Sequence, residues 1–173
     1  MKKHLFLFLL CAGALFSSCK DDDHDLSVLY GKWESVGFDY RIMPQDAAVR
    51  NAVERDFLDY NTMIRLVLSE SNELREYRYR RDLLMSMTSG NFFYNHGYKG
   101  NYILTDSFFG VRTLDFEIEG DRLVCRVDAT RRYQDPNILE TAGLTNVKDH
   151  PFDKIEIVII YERAEFDIDD FDR

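Results

Sequence analysis

Between Thr62 and Ala164 the chain returns again and again to a period of two, and no other feature limits the fold as much. Successive side chains of a strand point to opposite faces, so such alternation belongs to strands with one face packed and one face wet. Thr62 to Glu70 and Glu73 to Leu84 read as two strands joined at Ser71-Asn72, a hairpin. Tyr98 to Asp106 and Val111 to Glu119 make the next pair, and Gly120-Asp121 turns directly into Arg122 to Arg132. Leu114, Phe116 and Ile118 on one side of that turn and Leu123, Cys125 and Val127 on the other let two apolar faces meet. Lys154 to Ala164 is the last strand, and Lys32 to Ile42, rich in aromatic and β-favouring residues, is the first.

Two stretches break the period. From Pro44 to Tyr60 the apolar residues Ala48, Val49, Val53, Phe57 and Leu58 fall at helical spacing, which predicts an amphipathic helix inserted after the first strand. Asp135-Pro136 predicts the start of a short helix over Asn137 to Ala142, stopped by Gly143. Ser86 to Gly97 reads as irregular. About seven strands in chain order, joined by short turns, predict a mainly β, antiparallel up-and-down sheet. Closure into a barrel removes its edges, and a sandwich is the competing architecture.

The N-terminus carries a different kind of signal. Lys2 and Lys3 precede an apolar run, Leu5 to Phe16, that is short for a membrane span and has the parts of a secretory signal. Ser17-Ser18-Cys19 closes it, and Lys20-Asp21-Asp22-Asp23 switches at once to charge. Removing residues 1–18 leaves 155 of the 173 residues, enough for one domain with a sizeable core. The formal charge of −9 argues against nucleic acid and against adhesion of the domain to an anionic lipid surface. Cys11 lies within the signal, so Cys19 and Cys125 remain, and Cys125 sits in the apolar alternation as a buried structural thiol.

A signal ending in small residues directly before a cysteine resembles the bacterial lipoprotein signal. That resemblance implies that Cys19 is acylated and becomes the first residue of the mature chain; an ordinary signal cleaved nearby would leave Cys19 a thiol. Lys20 with Asp21, Asp22 and Asp23 resembles the lysine-plus-acid export signal of Bacteroidota lipoproteins, which implies the outer face of the outer membrane; otherwise these residues are a solvated linker. Leu29-Tyr30-Gly31-Lys32-Trp33, Gly100-Asn101-Tyr102 and Tyr161-Glu162-Arg163 together resemble the lipocalin-like (calycin) domain of small Bacteroidota lipoproteins, where a glycine-x-tryptophan opens the first strand. The organisation implied is a signal at 1–18, an acylated acidic tether at 19–27, a lipocalin-like β-barrel at 28–164 and an acidic tail at 165–173 expected to fray. An indole at the base of a barrel gains about 1–2 kcal/mol from a guanidinium over its face. Gly31, Trp33 and Arg163 are therefore expected to form a structural barrel base.

Catalytic and metal chemistry find little purchase. His24, His96 and His150 have no second ligand at zinc spacing. The acids at 167, 169, 170 and 172 lack the glycine turn and closing glutamate of a calcium loop. No nucleophile elbow, phosphate loop or nucleotide fingerprint occurs. The expectation is a non-enzyme without metal or cofactor. Two constellations suggest binding instead. In Arg75, Tyr77, Arg78, Tyr79, Arg80 and Arg81, the two tyrosines share one face and Arg78 and Arg80 the other. An inward arginine could hold a carboxylate or sulfate, whereas an outward one is a solvated strand paired with acids, which is the reading preferred. Asn91 to Tyr98 is heavy in aromatics and amides, suited to rimming a pocket or plugging the barrel. The resulting expectation is a membrane-anchored barrel that takes a small apolar or amphipathic ligand, lined by Tyr77, Tyr79, Phe92, Phe93 and Tyr102. The alternative is a filled barrel serving as an accessory subunit beside an outer-membrane protein partner.

Overall fold

The structure, a computed structural model, describes residues 26–95, 99–106 and 108–167, with the side chains of 26, 93–99, 101–107 and 111–112 excluded. The leader with Cys19, Lys20, Asp21, Asp22 and Asp23 lies outside the described residues, as do His96 to Tyr98 and the last acids of the tail. Eight strands form one closed barrel in chain order. They are β1 (Gly31–Met43), β2 (Met63–Leu68), β3 (Glu73–Arg80), β4 (Leu83–Asn95), β5 (Lys99–Asp106), β6 (Gly110–Glu119), β7 (Arg122–Asp128) and β8 (Lys154–Arg163). Every neighbouring pair is antiparallel, and β8 returns to pair with β1 from Met43↔Lys154 to Trp33↔Arg163. The sandwich is thereby set aside.

The eighth strand is β4, which replaces the irregular stretch expected at Ser86 to Gly97. Arg81 and Asp82 both take left-handed backbone angles, φ 47 and 65, and so reverse the chain in two residues. That geometry twists with the flanking strands. Asn91 to Asn95 then runs as strand rather than loop.

Helix α1 (Ala47–Tyr60) is the expected insertion. Asp46 caps it by accepting from the backbone N–H groups of Ala48 and Val49 at 2.8 and 3.0 Å. Its buried face, Val49, Ala52, Val53 and Phe57, closes one end of the barrel. There Phe57 meets Phe38, Tyr40 and Phe108 edge-on, with ring centres 5.2, 6.0 and 5.5 Å away. Two short helices, α2 (Thr130–Tyr133) and α3 (Pro136–Thr141), follow β7 at the same end. Asp135 caps α3 through the N–H of Asn137, and Gly143, at φ 87, ends it.

The other end is closed by the chain's own entry. Leu29 is fully buried, and the Trp33 indole Nε1–H donates to its carbonyl at 3.0 Å. Between the two ends the interior holds Leu66, Leu74, Leu114, Phe116, Leu123, Cys125, Ile157, Ile159 and Tyr161, all buried. After β8 the chain does not fray at once. Ala164 donates to the Lys32 carbonyl, and Arg65 lies 4.9 Å from the Phe166 ring centre on the outer wall.

Candidate functional site

Barrel closure is uneven, and the unevenness makes the site. β4 is thirteen residues long, yet its register with β5 covers only Asn91 to Asn95. Beyond that the two strands part, leaving Leu83 to Gly90 without a described partner on that side. At the helix-capped end of this seam sits a cleft of about 280 Å³. Arg78, Asn61 and Ser86 line it from the barrel side, and Tyr60, Met85, Phe108 and Arg132 from the rim.

Arg78 owes its place to register. It pairs with Ile64 and Ser86, and its neighbour Glu76 pairs with Leu66 and Thr88, so both belong to the inward face of β3. Residues paired across antiparallel strands share a face. Arg78 is 2% exposed and Glu76 0%. The Arg78 Nε–H donates to Glu76 Oε1 at 2.7 Å, and Nη1–H to Asn61 Oδ1 at 2.7 Å. Asn61 is fixed in turn by donating from its backbone N–H and its Nδ2 to the Phe57 carbonyl, at 2.9 and 3.2 Å. The end of α1 thus positions the arginine.

Arg132, on α2, approaches from the opposite wall. Its Nε and Nη2 grip the two Asp56 oxygens at 3.0 and 3.1 Å, and Nη1 donates to the Phe108 carbonyl at 2.9 Å. The guanidinium lies flat over the Phe108 ring, 3.7 Å from its centre. Tyr133 donates its hydroxyl to Asp56 Oδ2 at 3.0 Å. Burial, reinforced by the neighbouring Asp56 charge, pushes the Tyr133 phenol well above its ordinary value and keeps it a donor. Both cations face the cleft while their carboxylates, Glu76 and Asp56, are not among its lining.

The residues expected to line a barrel cavity are not brought together. Tyr77 pairs with Arg65, and Arg65 with Glu34, which puts the Tyr77 row on the outer face of the wall. Tyr79 lies there too, its ring 5.2 Å from the Arg65 guanidinium carbon. Burial raises the Tyr79 phenol above its ordinary value, and Arg65 opposes that rise. Phe92 is buried inside against Phe116, ring centres 6.2 Å apart. Phe93 and Tyr102 are placed by backbone register alone, Phe93↔Asn101 and Phe92↔Tyr102. The outward reading of Arg78 is likewise corrected: the parity within β3 is as read, but the arginine's face is the inner one. Asn61, Phe108 and Arg132 were missed, and only the alternative of an inward arginine holding a carboxylate pointed toward them.

At the opposite end Arg163 stacks over Trp33 at 3.9 Å, and Gly31 lies beneath the same guanidinium. A larger groove of about 700 Å³ follows the end of β1 and the start of α1. Its charged walls are exposed, and Arg41 and Arg50 both reach Asp39, at 3.4 and 3.3 Å. Among the described residues no group of three or more His, Cys, Asp or Glu could hold a metal ion. No described helix is long and apolar enough to cross a membrane.

No family model matches this chain, and no curated protein does. Among solved structures, a crystal structure of a mutant of the fluorescent protein UnaG is similar. It is 11% identical, covers 82% of this chain and 99% of its own, and superposes with a TM-score of 0.39. A likeness of that size supports no inference about ligand or mechanism, so function is argued from the cleft.

Proposed function

We propose that this protein is a lipid-anchored binding module: a lipocalin-like barrel, tethered through an acylated Cys19 to the outer membrane and exposed at the cell surface. It takes a small amphipathic ligand at the helix-capped seam between β4 and β5, not along the barrel axis. One observation carries the reading. The cleft presents guanidinium groups at its floor and one wall, and an aromatic and thioether surface from Tyr60, Phe108 and Met85. Convergent polar groups beside apolar and aromatic surface are what small-molecule sites are built from, and at about 280 Å³ this one falls just below their usual roughly 300–1,000 Å³. The protein is read as a binder and not as an enzyme.

A second reading rests on the filled interior and on Leu83, Leu84, Met85 and Met87, all exposed on β4. Apolar side chains gathered in the open mark contact surfaces. On this reading the same strand docks against an outer-membrane protein. Native mass spectrometry of the purified chain separates the two. A co-purified small molecule lost on Arg132→Met supports the first reading, and a clean apo mass with stable capture of a membrane protein supports the second. The anchor has its own test: labelled palmitate should mark the wild-type chain and not Cys19→Ala; label on both would move the acylation away from Cys19, and label on neither would remove the lipid from the account.

A further inference from the structure

We infer that the cleft selects a singly charged carboxylate, seated on the open edge of Arg132 with Arg78 behind it. This inference rests on the binding reading above and deepens it by naming the head group. A guanidinium carries five N–H donors in a planar fork. Arg132 spends two on Asp56 and one on the Phe108 carbonyl. Two of its donor positions are left without a described partner, on a side chain that is 17% exposed and lines the cleft. The group cannot swing away to find water, because Asp56 clamps two of its nitrogens and Phe108 holds its face. A pre-oriented, partly dried donor edge matches the plane of a carboxylate.

The charge ledger sets the valence. Arg132 is matched by Asp56, at 3.0 Å, and Arg78 by Glu76, at 2.7 Å. Arg80, two residues beyond Arg78 on β3, is matched by Asp59, at 2.7 Å. Cations face the cleft with anions behind, so a single negative charge finds attraction in front and weaker repulsion at greater distance. A second negative charge meets a region already near neutral. A cation would face two guanidinium groups directly. The ligand body is short and flat: 280 Å³ accommodates a ring against Phe108 and Tyr60, whose own rings are 5.5 Å apart, but not a long chain.

The experiment is calorimetric titration of the full chain with four probes of one body: 4-phenylbutanoate, 4-phenylbutanol, 4-phenylbutylamine and 4-phenylbutyl phosphate. The carboxylate is expected to bind at least tenfold more tightly than the alcohol, and more tightly than the dianionic phosphate, with the amine weakest. Arg132→Lys, which keeps the charge and loses the fork, should erase most of the carboxylate's advantage over the alcohol. The paired change Arg132→Met with Asp56→Asn removes both charges together, so a loss of selectivity there cannot be ascribed to a stranded aspartate. If all four probes bind alike, the apolar cleft stands and the head-group assignment falls. Preference for the phosphate or the amine also overturns it. If none of them binds, the binding reading falls with it.

Discussion

The guanidinium carbon of Arg163 lies 3.9 Å from the centre of the Trp33 ring, and its two terminal nitrogens donate to the carbonyl oxygens of Val28 and Tyr30. One side chain at the end of β8 thereby holds the indole at the start of β1 and the turn that leads into it. Burial lowers the Arg163 pKa below its ordinary value but leaves the group a cation at any working pH. The group is partly exposed, so its stacking contributes about 0.5–1 kcal/mol. Arg163→Ala should therefore destabilise the barrel by that much plus the two lost bonds, about 2 kcal/mol in total. The chain has a single tryptophan, so its fluorescence in a urea titration reads this end of the barrel directly. An unchanged midpoint would show that the stack is incidental.

Gly31 answers to the same arginine. Its φ is +122, a region that L side chains rarely adopt, and a Cβ built there would stand 2.6 Å from Arg163 Nη1. Gly31→Ala thus carries two penalties, one in the backbone and one against the guanidinium, of about 1–3 kcal/mol for the backbone alone. Combining Gly31→Ala with Arg163→Ala should recover the steric part and leave the backbone part. Strict additivity of the two losses in denaturation would mean that the close approach costs nothing.

Glu76 and Arg78 form a buried ion pair inside a barrel wall, with side chains 0% and 3% exposed. Removing one member takes away the other's partner at 2.7 Å, and breaking a buried pair in this way typically costs about 3–5 kcal/mol. Glu76→Ala and Arg78→Met should each reach that range. The double change to Gln and Met should cost clearly less than their sum, since both charges of the pair leave together. A double-mutant cycle in guanidinium chloride measures this. A sum equal to the double change would show that the two groups do not depend on each other.

The architecture was legible where burial follows chemistry and obscure where it does not. The Pro44 to Tyr60 helix announced itself because Val49, Val53 and Phe57 are apolar and all turn inward. The β6–β7 hairpin did so because Leu114, Phe116, Leu123, Cys125 and Val127 share the inner face and are buried. β4 inverts that logic. Its inward positions are Ser86, Thr88 and Gly90, register partners of Arg78, Glu76 and Leu74, while Leu83, Met85 and Met87 stand exposed. A strand with small residues inside and apolar ones outside alternates in the inverted sense and only from Met85 to Thr88, so it read as irregular. The same inversion hid the cleft. Alternation in β3 separates Tyr77 and Tyr79 from Arg78 correctly, but nothing local says that the arginine's side is the dry one. Glu76 stands only two residues away on the same strand, but Asn61, at the end of α1, and Arg132, in a four-residue helix far along the chain, complete that side of the wall from elsewhere in the sequence. The Trp33 and Arg163 pairing was accessible because an indole at a barrel base needs a cover and Arg163 ends the strand beside it.

The cap of α1 should make stability fall on the acid side. Asp46 Oδ1 accepts from the N–H groups of Ala48 and Val49, and Oδ2 contacts His150 Nδ1 at 2.8 Å. The bond to His150, followed by the backbone donor of Val49, lowers the Asp46 carboxyl below its ordinary value of 3.8. A carboxyl whose folded value is depressed binds protons more readily in the unfolded chain. Its contribution is fully present above about pH 4 and is lost as pH falls through the folded value below it. Losing the cap altogether costs about 1 kcal/mol, so Asp46→Ala should lower the urea midpoint at neutral pH by a corresponding amount. Asp46→Asn keeps an oxygen for the helix and removes the proton equilibrium. It should stay closer to wild type at pH 7 and flatten the stability profile between pH 5 and about pH 2. His150→Gln should move the acid midpoint of the wild-type step upward, because the first cause of the depression is gone. Acid profiles of the three variants that superpose on wild type would mean that Asp46 does not couple helix α1 to pH.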